Sequence, residues 1–350
     1  MEYRTLGNSD LFLSVLGLGC WPFGGGEYWG DQDQADVDAV VNLALDLGVT
    51  YFDTAEAYNN GTSEQSLGIA LHRRRGEAIV GSKVSPSNCQ PETLREHCDA
   101  SLARLQSDVI DLYMVHWPFN PLAVKHFTSD ETLIASPPSA EDAFRTLGDL
   151  KDEGKIRAIG VSNFGVTQLE EALATGVTIV ANQLAYNLVS RAIEVEILPF
   201  CRQNGISIIG DMGLQQGILT GKYERPEDVP PMRARSRHFR DSRGQGLSRH
   251  GDDGAEEELF NSLAEIRRIS TEIGYPMGQV ALAWAAANSD VTCTLVGSRD
   301  AGQFEENLKS LEVPLTPSLI AELNNATIQL LEKMGPNPDY YESNKHGRIW

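Results

Sequence analysis

Along the chain, short runs that are apolar at almost every position alternate with segments whose apolar positions recur every three or four residues. The runs are Ser14–Gly19, Thr50–Thr54, Ala78–Lys83, Asp111–Trp117, Ile156–Asn163, Thr178–Leu184, Ser207–Asp211 and Cys293–Ser298. Continuous apolarity over so few residues is the mark of parallel strands covered on both faces. Between them, Asp36–Leu47 places Val37, Val40, Val41, Ala44 and Leu45 on one helical face and stops at Gly48. Ser63–Leu71, Pro91–Leu105, Ser139–Glu153, Thr167–Ala174, Glu194–Asn204 and Gln303–Ser310 read as helices by the same logic, with Gly154 and Gly205 as stops. Val280–Ala287 reads as a short buried segment.

Eight strand–helix units in strict order predict an α/β fold, a (β/α)8 TIM barrel, in preference to a doubly wound sheet. Tyr3–Thr5 and Leu11–Leu13 flank a turn at Leu6-Gly7-Asn8-Ser9 and predict an N-terminal hairpin closing the barrel bottom. Residues 1–350 are expected to form one domain, with the barrel over about 1–330 and a C-terminal tail over 331–350. Two long connections, Phe119–Pro138 and Lys222–Gly254, fall at the C-terminal mouth and read as lids.

Composition narrows the function. Of 350 residues, 41% are hydrophobic and 22% charged, and 29 Lys+Arg against 49 Asp+Glu give a net charge of −20. That balance excludes a broad nucleic-acid or anionic-membrane surface, though not one small anionic ligand in a local pocket. Cys20, Cys89, Cys98, Cys201 and Cys293 are odd in number and lack CxxC spacing, so no disulfide framework or metal site is expected. No apolar run nears the ~18 residues of a membrane span, no signal peptide is read, and a cytoplasmic location is expected.

In a barrel, chemistry sits where strands end. Strand two ends in Asp53, with Tyr58 five residues on; strand three ends in Lys83 and strand four in His116-Trp117. A phenol is a poor acid near neutrality unless a cation lowers its pKa. Lys83 can supply that cation, Asp53 can orient the lysine, and His116 can position a carbonyl oxygen. The set suits protonation of a carbonyl oxygen as hydride reaches its carbon.

These residues lie in recognisable segments: Gly17-Leu-Gly-Cys-Trp21, Phe52-Asp-Thr-Ala-Glu-Ala-Tyr58 with Ser63-Glu64, Gly81-Ser-Lys83, Asp111-Leu-Tyr-Met-Val-His-Trp-Pro118, Ile159-Gly-Val-Ser-Asn163, Leu219-Thr-Gly-Lys222, and Val296-Gly-Ser-Arg299 with Gln303 and Glu306-Asn307. In this order, from about Tyr3 to the last helix, the chain resembles the aldo-keto reductase superfamily. It is most similar to the branch with a long loop after strand seven, which includes bacterial reductases and potassium-channel beta subunits. The resemblance implies a catalytic tetrad of Asp53, Tyr58, Lys83 and His116, with Tyr58 as proton donor, and NADP(H), or NAD(H), lying across the mouth. It implies that Ser162, Asn163 and Gln183 bind the nicotinamide carboxamide, and that Trp21 borders the nicotinamide. Leu214 and Lys222 then fall where the family cradles the pyrophosphate, and Asp211 and Met212 are counted among the cofactor contacts. Ser298, Arg299, Gln303, Glu306 and Asn307 would hold the adenosine end, with Arg299 on a 2′-phosphate. Trp21, Tyr58, His116 and Trp117 would face the substrate.

One position departs from that pattern. Where the family carries a stacking aromatic at the end of strand seven, this chain has Asp211-Met212-Gly213-Leu214. A carboxylate beside the ring is expected to favour oxidised, cationic nicotinamide and hence alcohol oxidation. Arg233, Arg235, Arg237, Arg240, Arg243 and Arg249 read first as a solvated, mobile lid, and second as a source of one or two phosphate contacts. The tail from Gly335 to Trp350 could fold over the pocket or pack on a partner subunit. The Gly17-x-Gly19 and Gly24–Gly26 run lacks the helix of a Rossmann turn, and Tyr341-x-x-x-Lys345 lies beyond any sheet. The resulting expectation is an NADP-dependent oxidoreductase interconverting an aldehyde, ketone or sugar carbonyl with its alcohol. An NAD-dependent sugar or inositol dehydrogenase is the alternative, and a cofactor-binding regulatory subunit is the alternative of another class.

Overall fold

The alternation of buried runs and amphipathic segments closes into a barrel in the computed structural model, which describes residues 1–350. β1 (Tyr3–Thr5) and β2 (Phe12–Ser14) form an antiparallel hairpin. β3 (Leu16–Gly19), β4 (Tyr51–Asp53), β5 (Ile79–Val84), β6 (Ile110–Val115), β7 (Ile156–Ser162), β8 (Ile179–Ala185), β9 (Ser207–Asp211) and β10 (Val291–Gly297) are parallel. Each pairs with the next, and β10 pairs back onto β3. The expected (β/α)8 architecture is therefore the observed one, with every expected strand present and its ends shifted by at most two residues.

Two apolar regions hold it. The larger lies between the barrel and its helices. The smaller fills the barrel interior, where Tyr51, Leu112, Met114, Val180, Ile209 and Leu295 meet Leu6, Leu11 and Leu13 of the hairpin. The hairpin thus plugs the bottom, and a close approach makes this possible. Gly7 takes φ +50°, and a Cβ there would meet the Val180 carbonyl oxygen at 2.3 Å. Only glycine lets the turn seat against the strand end.

The helices depart from expectation in instructive ways. Glu194–Asn204 becomes a 3-10 turn at Ala192–Glu194 and a helix at Ile197–Gln203. Val280–Ala287 is part of a longer helix, Met277–Ala287, buried on nearly all sides, so it lacks a polar stripe to betray its period. Glu256–Ile273, Pro317–Ala326 and Ile328–Met334 are further helices absent from the periodicity reading. All five cysteines are buried and unpaired. No helix is long and apolar enough to cross a membrane.

Candidate active site at the barrel mouth

A cavity of about 680 Å³ opens at the C-terminal ends of the strands. Asp53 ends β4 and Lys83 lies one residue before the end of β5. The Lys83 ammonium donates to both Asp53 carboxylate oxygens, at 2.8 and 2.7 Å, to the Thr54 carbonyl at 2.9 Å and to Tyr58 Oη at 3.2 Å. Tyr58 is presented by an irregular turn in which Asn59 and Asn60 take positive φ and Gly61 follows at φ 84°. Asn59 can hold that conformation because its side-chain amide donates to the carbonyls of Trp21 and Phe23, which ties the tyrosine turn to the Trp21 loop. His116, one residue past β6, stands edge-on to Tyr58 with ring centroids 5.5 Å apart.

Electrostatics distribute the roles. Burial works against the Lys83 charge, but Asp53 and Tyr58 together outweigh it and the ammonium is pushed up to about 12, so Lys83 stays cationic. His116 is driven well below the usual histidine range, first by burial and then by Lys83, and is neutral. The expectation that Lys83 brings the Tyr58 phenol below its ordinary value is corrected. Burial dominates and pushes the phenol up to about 12, while Lys83 offsets only part of that rise. In this state Tyr58 is a protonated donor poised beside a cation. A developing alkoxide would draw its proton, and Lys83 would stabilise the phenolate left behind.

The cofactor candidates divide. Trp21, Asp53, Asn163, Asp211, Met212, Leu214, Lys222, Arg299 and Gln303 line the cavity, as do Tyr58, His116 and Trp117. Lys83, Ser162, Gln183, Ser298, Glu306 and Asn307 lie behind or beside that lining rather than on it. Gln183 donates its amide to Asp53 at 3.0 Å and leaves Oε1 buried without a partner. Asn163 takes φ 63° and donates to the His116 carbonyl and to Ser162 Oγ. Asn307 donates to Ser298 Oγ at 3.1 Å, and Gln279 donates to the Glu306 carbonyl at 3.0 Å, so these two contacts brace Ser298, Glu306 and Asn307. Arg299 donates to Gln32 Oε1 and the Asp31 carbonyl, which joins the loop after β10 to the Trp21–Asp33 loop.

The arginine-rich segment is only partly solvated: Arg240 and Arg249 are exposed, while the others are engaged by the fold or the cavity. Arg237 is buried and donates to the carbonyls of Met334, Asn337 and Asp339. Arg240 and Arg243 converge on Glu256, and Arg249 donates to Glu342 at 2.7 Å. Arg233 and Arg235 are different: they line the cavity, lie over the Tyr28 ring and have no carboxylate partner. Arg233 donates to the Gln216 carbonyl at 2.7 Å. The tail folds over the pocket. Pro338 to Tyr341 line it, and Arg348 pairs with Asp339 while its guanidinium sits 3.7 Å from the Trp117 ring centre. Trp29, Phe127, Arg348 and Tyr341 are lining residues to which no role was assigned from sequence. They come from loops far apart in the chain and share no local motif.

This geometry agrees with the comparisons. The sequence model described as the aldo/keto reductase family matches residues 15–328, and the chain belongs to that family. It is an oxidoreductase of the aldo-keto reductase type. The chain is 34% identical over 337 residues to the NADH-specific methylglyoxal reductase of Escherichia coli (strain K12), covering 90% of this chain and 95% of that protein. It is 26% identical to a probable voltage-gated potassium channel subunit beta of Arabidopsis thaliana, covering 97% of this chain and all of that one. Among solved structures, the glycerol dehydrogenase AKR11B4 from Gluconobacter oxydans superposes with a TM-score of 0.72 at 26% identity, covering 96% of this chain and 97% of that one.

Proposed function

We propose that the mouth binds NADP(H) or NAD(H) and interconverts a small aldehyde, ketone or sugar carbonyl with its alcohol. Tyr58 acts as the general acid in reduction and as the general base in oxidation. The observation that carries this reading is the hydrogen-bonded line from Asp53 through Lys83 to Tyr58, with a neutral His116 opposite. Asp53 holds Lys83, Lys83 holds the phenol and stabilises its anion, and His116 directs a carbonyl oxygen toward Tyr58. The residues present suit a nicotinamide cofactor. Gln183 Oε1 lacks a partner and can accept from a carboxamide, and Lys222 and Arg233 supply cations on the cavity wall for phosphates. When bound, the cofactor supplies or takes the hydride. The relatives point the same way, since one is named an NADH-specific methylglyoxal reductase and another a glycerol dehydrogenase.

The test follows nicotinamide absorbance with both cofactors, in both directions, over a panel of aldehydes, sugars and polyols. Turnover with at least one pair is expected. Tight cofactor binding without turnover on any member would favour a regulatory role like that of the channel subunits.

A further inference from the structure

Most buried polar atoms at the mouth have a partner or face the place where a carbonyl or carboxamide would lie. Asp211 has neither. It ends β9 opposite Ala185, two residues beyond Gln183 on the neighbouring strand, and its side chain lines the cavity. Its carboxyl accepts no hydrogen bond, its Oδ1 is inaccessible, and no arginine, lysine or histidine lies within ion-pair distance. Asp211 as a whole is half-buried, and a carboxyl with one oxygen shut away and unpaired costs stability and persists where function uses it.

We propose that Asp211 sets this enzyme's preference between oxidised and reduced nicotinamide, by offering a countercharge to the cationic oxidised ring and none to the neutral reduced one. The inference rests on the reading that the mouth binds a nicotinamide cofactor. A ring whose carboxamide meets Gln183 and whose reactive carbon faces Tyr58 must lie against the next strand end, which is Asp211. Burial raises the Asp211 carboxyl to about 7, and the charge of Asp53 adds to the rise while Lys83 opposes it. The carboxylate expected beside the ring is thereby sharpened: its charge depends on pH near neutrality. The groups facing it are Asp53 from β4, Lys83 from β5, Tyr58 from the turn after β4 and Tyr341 from the tail, and Arg235 lies over the Tyr341 ring. Lys83 is committed to Asp53 and Arg235 lies over the Tyr341 ring, so no cation pairs with Asp211 directly. A cationic ring would be the first, and binding it would release the Asp211 proton.

The experiment measures dissociation constants of NADP⁺ and NADPH by titration calorimetry, with NAD⁺ and NADH in parallel, from about pH 6 to about pH 8. The 2′-phosphate is common to NADP⁺ and NADPH, so its ionisation cancels in their ratio. For the wild type, affinity for the oxidised form should gain about tenfold on the reduced form across this interval. In Asp211→Asn the ratio should become flat with pH and lie below the wild-type ratio at the alkaline end. A wild-type ratio that is flat, or one that Asp211→Asn leaves unchanged, overturns the proposal. Failure of the wild type to bind any of the four cofactors contradicts the nicotinamide reading itself, which is a different result from binding with an unaltered ratio.

Discussion

The two ends of this barrel are closed by opposite means. At the bottom, Leu6, Leu11 and Leu13 of the hairpin fill the interior against Tyr51, Leu112 and Met114. The turn there is held by hydrogen bonds such as Gly7 N–H to Ser207 Oγ at 2.7 Å. At the mouth, Trp29 Nε1, His116 Nδ1, Gln183 Oε1 and Asp211 Oδ1 are buried without partners, and Arg233 and Arg235 lack carboxylates. The bottom is mostly apolar, with Thr50 Oγ1 and Tyr51 Oη as its orphaned polar atoms, whereas the mouth gathers its orphans around one cavity. One end supplies stability, and the other withholds it so that a ligand can complete the hydrogen bonds.

Substitutions at the two ends should separate these properties. The largest effect is expected from Lys83→Met. Turnover should fall on the order of 10²–10⁴-fold as Tyr58 loses its cation. Stability should fall by about 3–5 kcal/mol, because Asp53 is left buried and unpaired. Denaturant titration beside steady-state kinetics reads both, and retained activity would break the contrast. Leu11→Ala, at the bottom, should cost about 2–5 kcal/mol in the same titration. Its cofactor affinity should match the wild type, so a weakened affinity would show that the ends are coupled.

The smallest effect concerns the tail. Glu342 accepts from Arg249 and His126, and those bonds offset burial and hold its carboxyl down at about 2. A depressed carboxyl pKa contributes stability above the ordinary glutamate value of about 4.3, and loses it as pH falls toward the folded-state value. Tryptophan fluorescence should therefore report release of the tail from Trp117 on acidification. In Glu342→Gln the tail should already be loosened at neutral pH, with KM raised severalfold and kcat little changed. An unaltered KM would mean that the tail does not shape the substrate wall.

How much of this could be read from sequence differs between the same two regions. The strands were legible because each is buried on both faces and reads as an unbroken apolar run. Met277–Ala287 was not recognised at full length because burial on all sides removes the polar stripe that marks a helix. Asp53, Tyr58, Lys83 and His116 were legible because they follow strand ends at short range. The roof of the site was not, since Trp29, Arg235, Tyr341 and Arg348 meet only through the folding of separate loops and the tail. The arginines of 233–249 looked alike in sequence. Their fates diverge with what packs beside them: carbonyls for Arg237, Glu256 for Arg240 and Arg243, the cavity for Arg233 and Arg235. The protonation of Tyr58 and Asp211 was equally hidden, because it depends on burial outweighing charges that sequence places only nearby.

The account stands on Tyr58 as the group that moves the proton. A single-turnover reaction of preloaded reduced cofactor with an accepted aldehyde, in wild type and Tyr58→Phe, addresses that role without interference from cofactor release. Equal cofactor affinity with a hydride-transfer rate reduced on the order of 10²–10⁴-fold in Tyr58→Phe is the expected result. An unchanged single-turnover rate would contradict it.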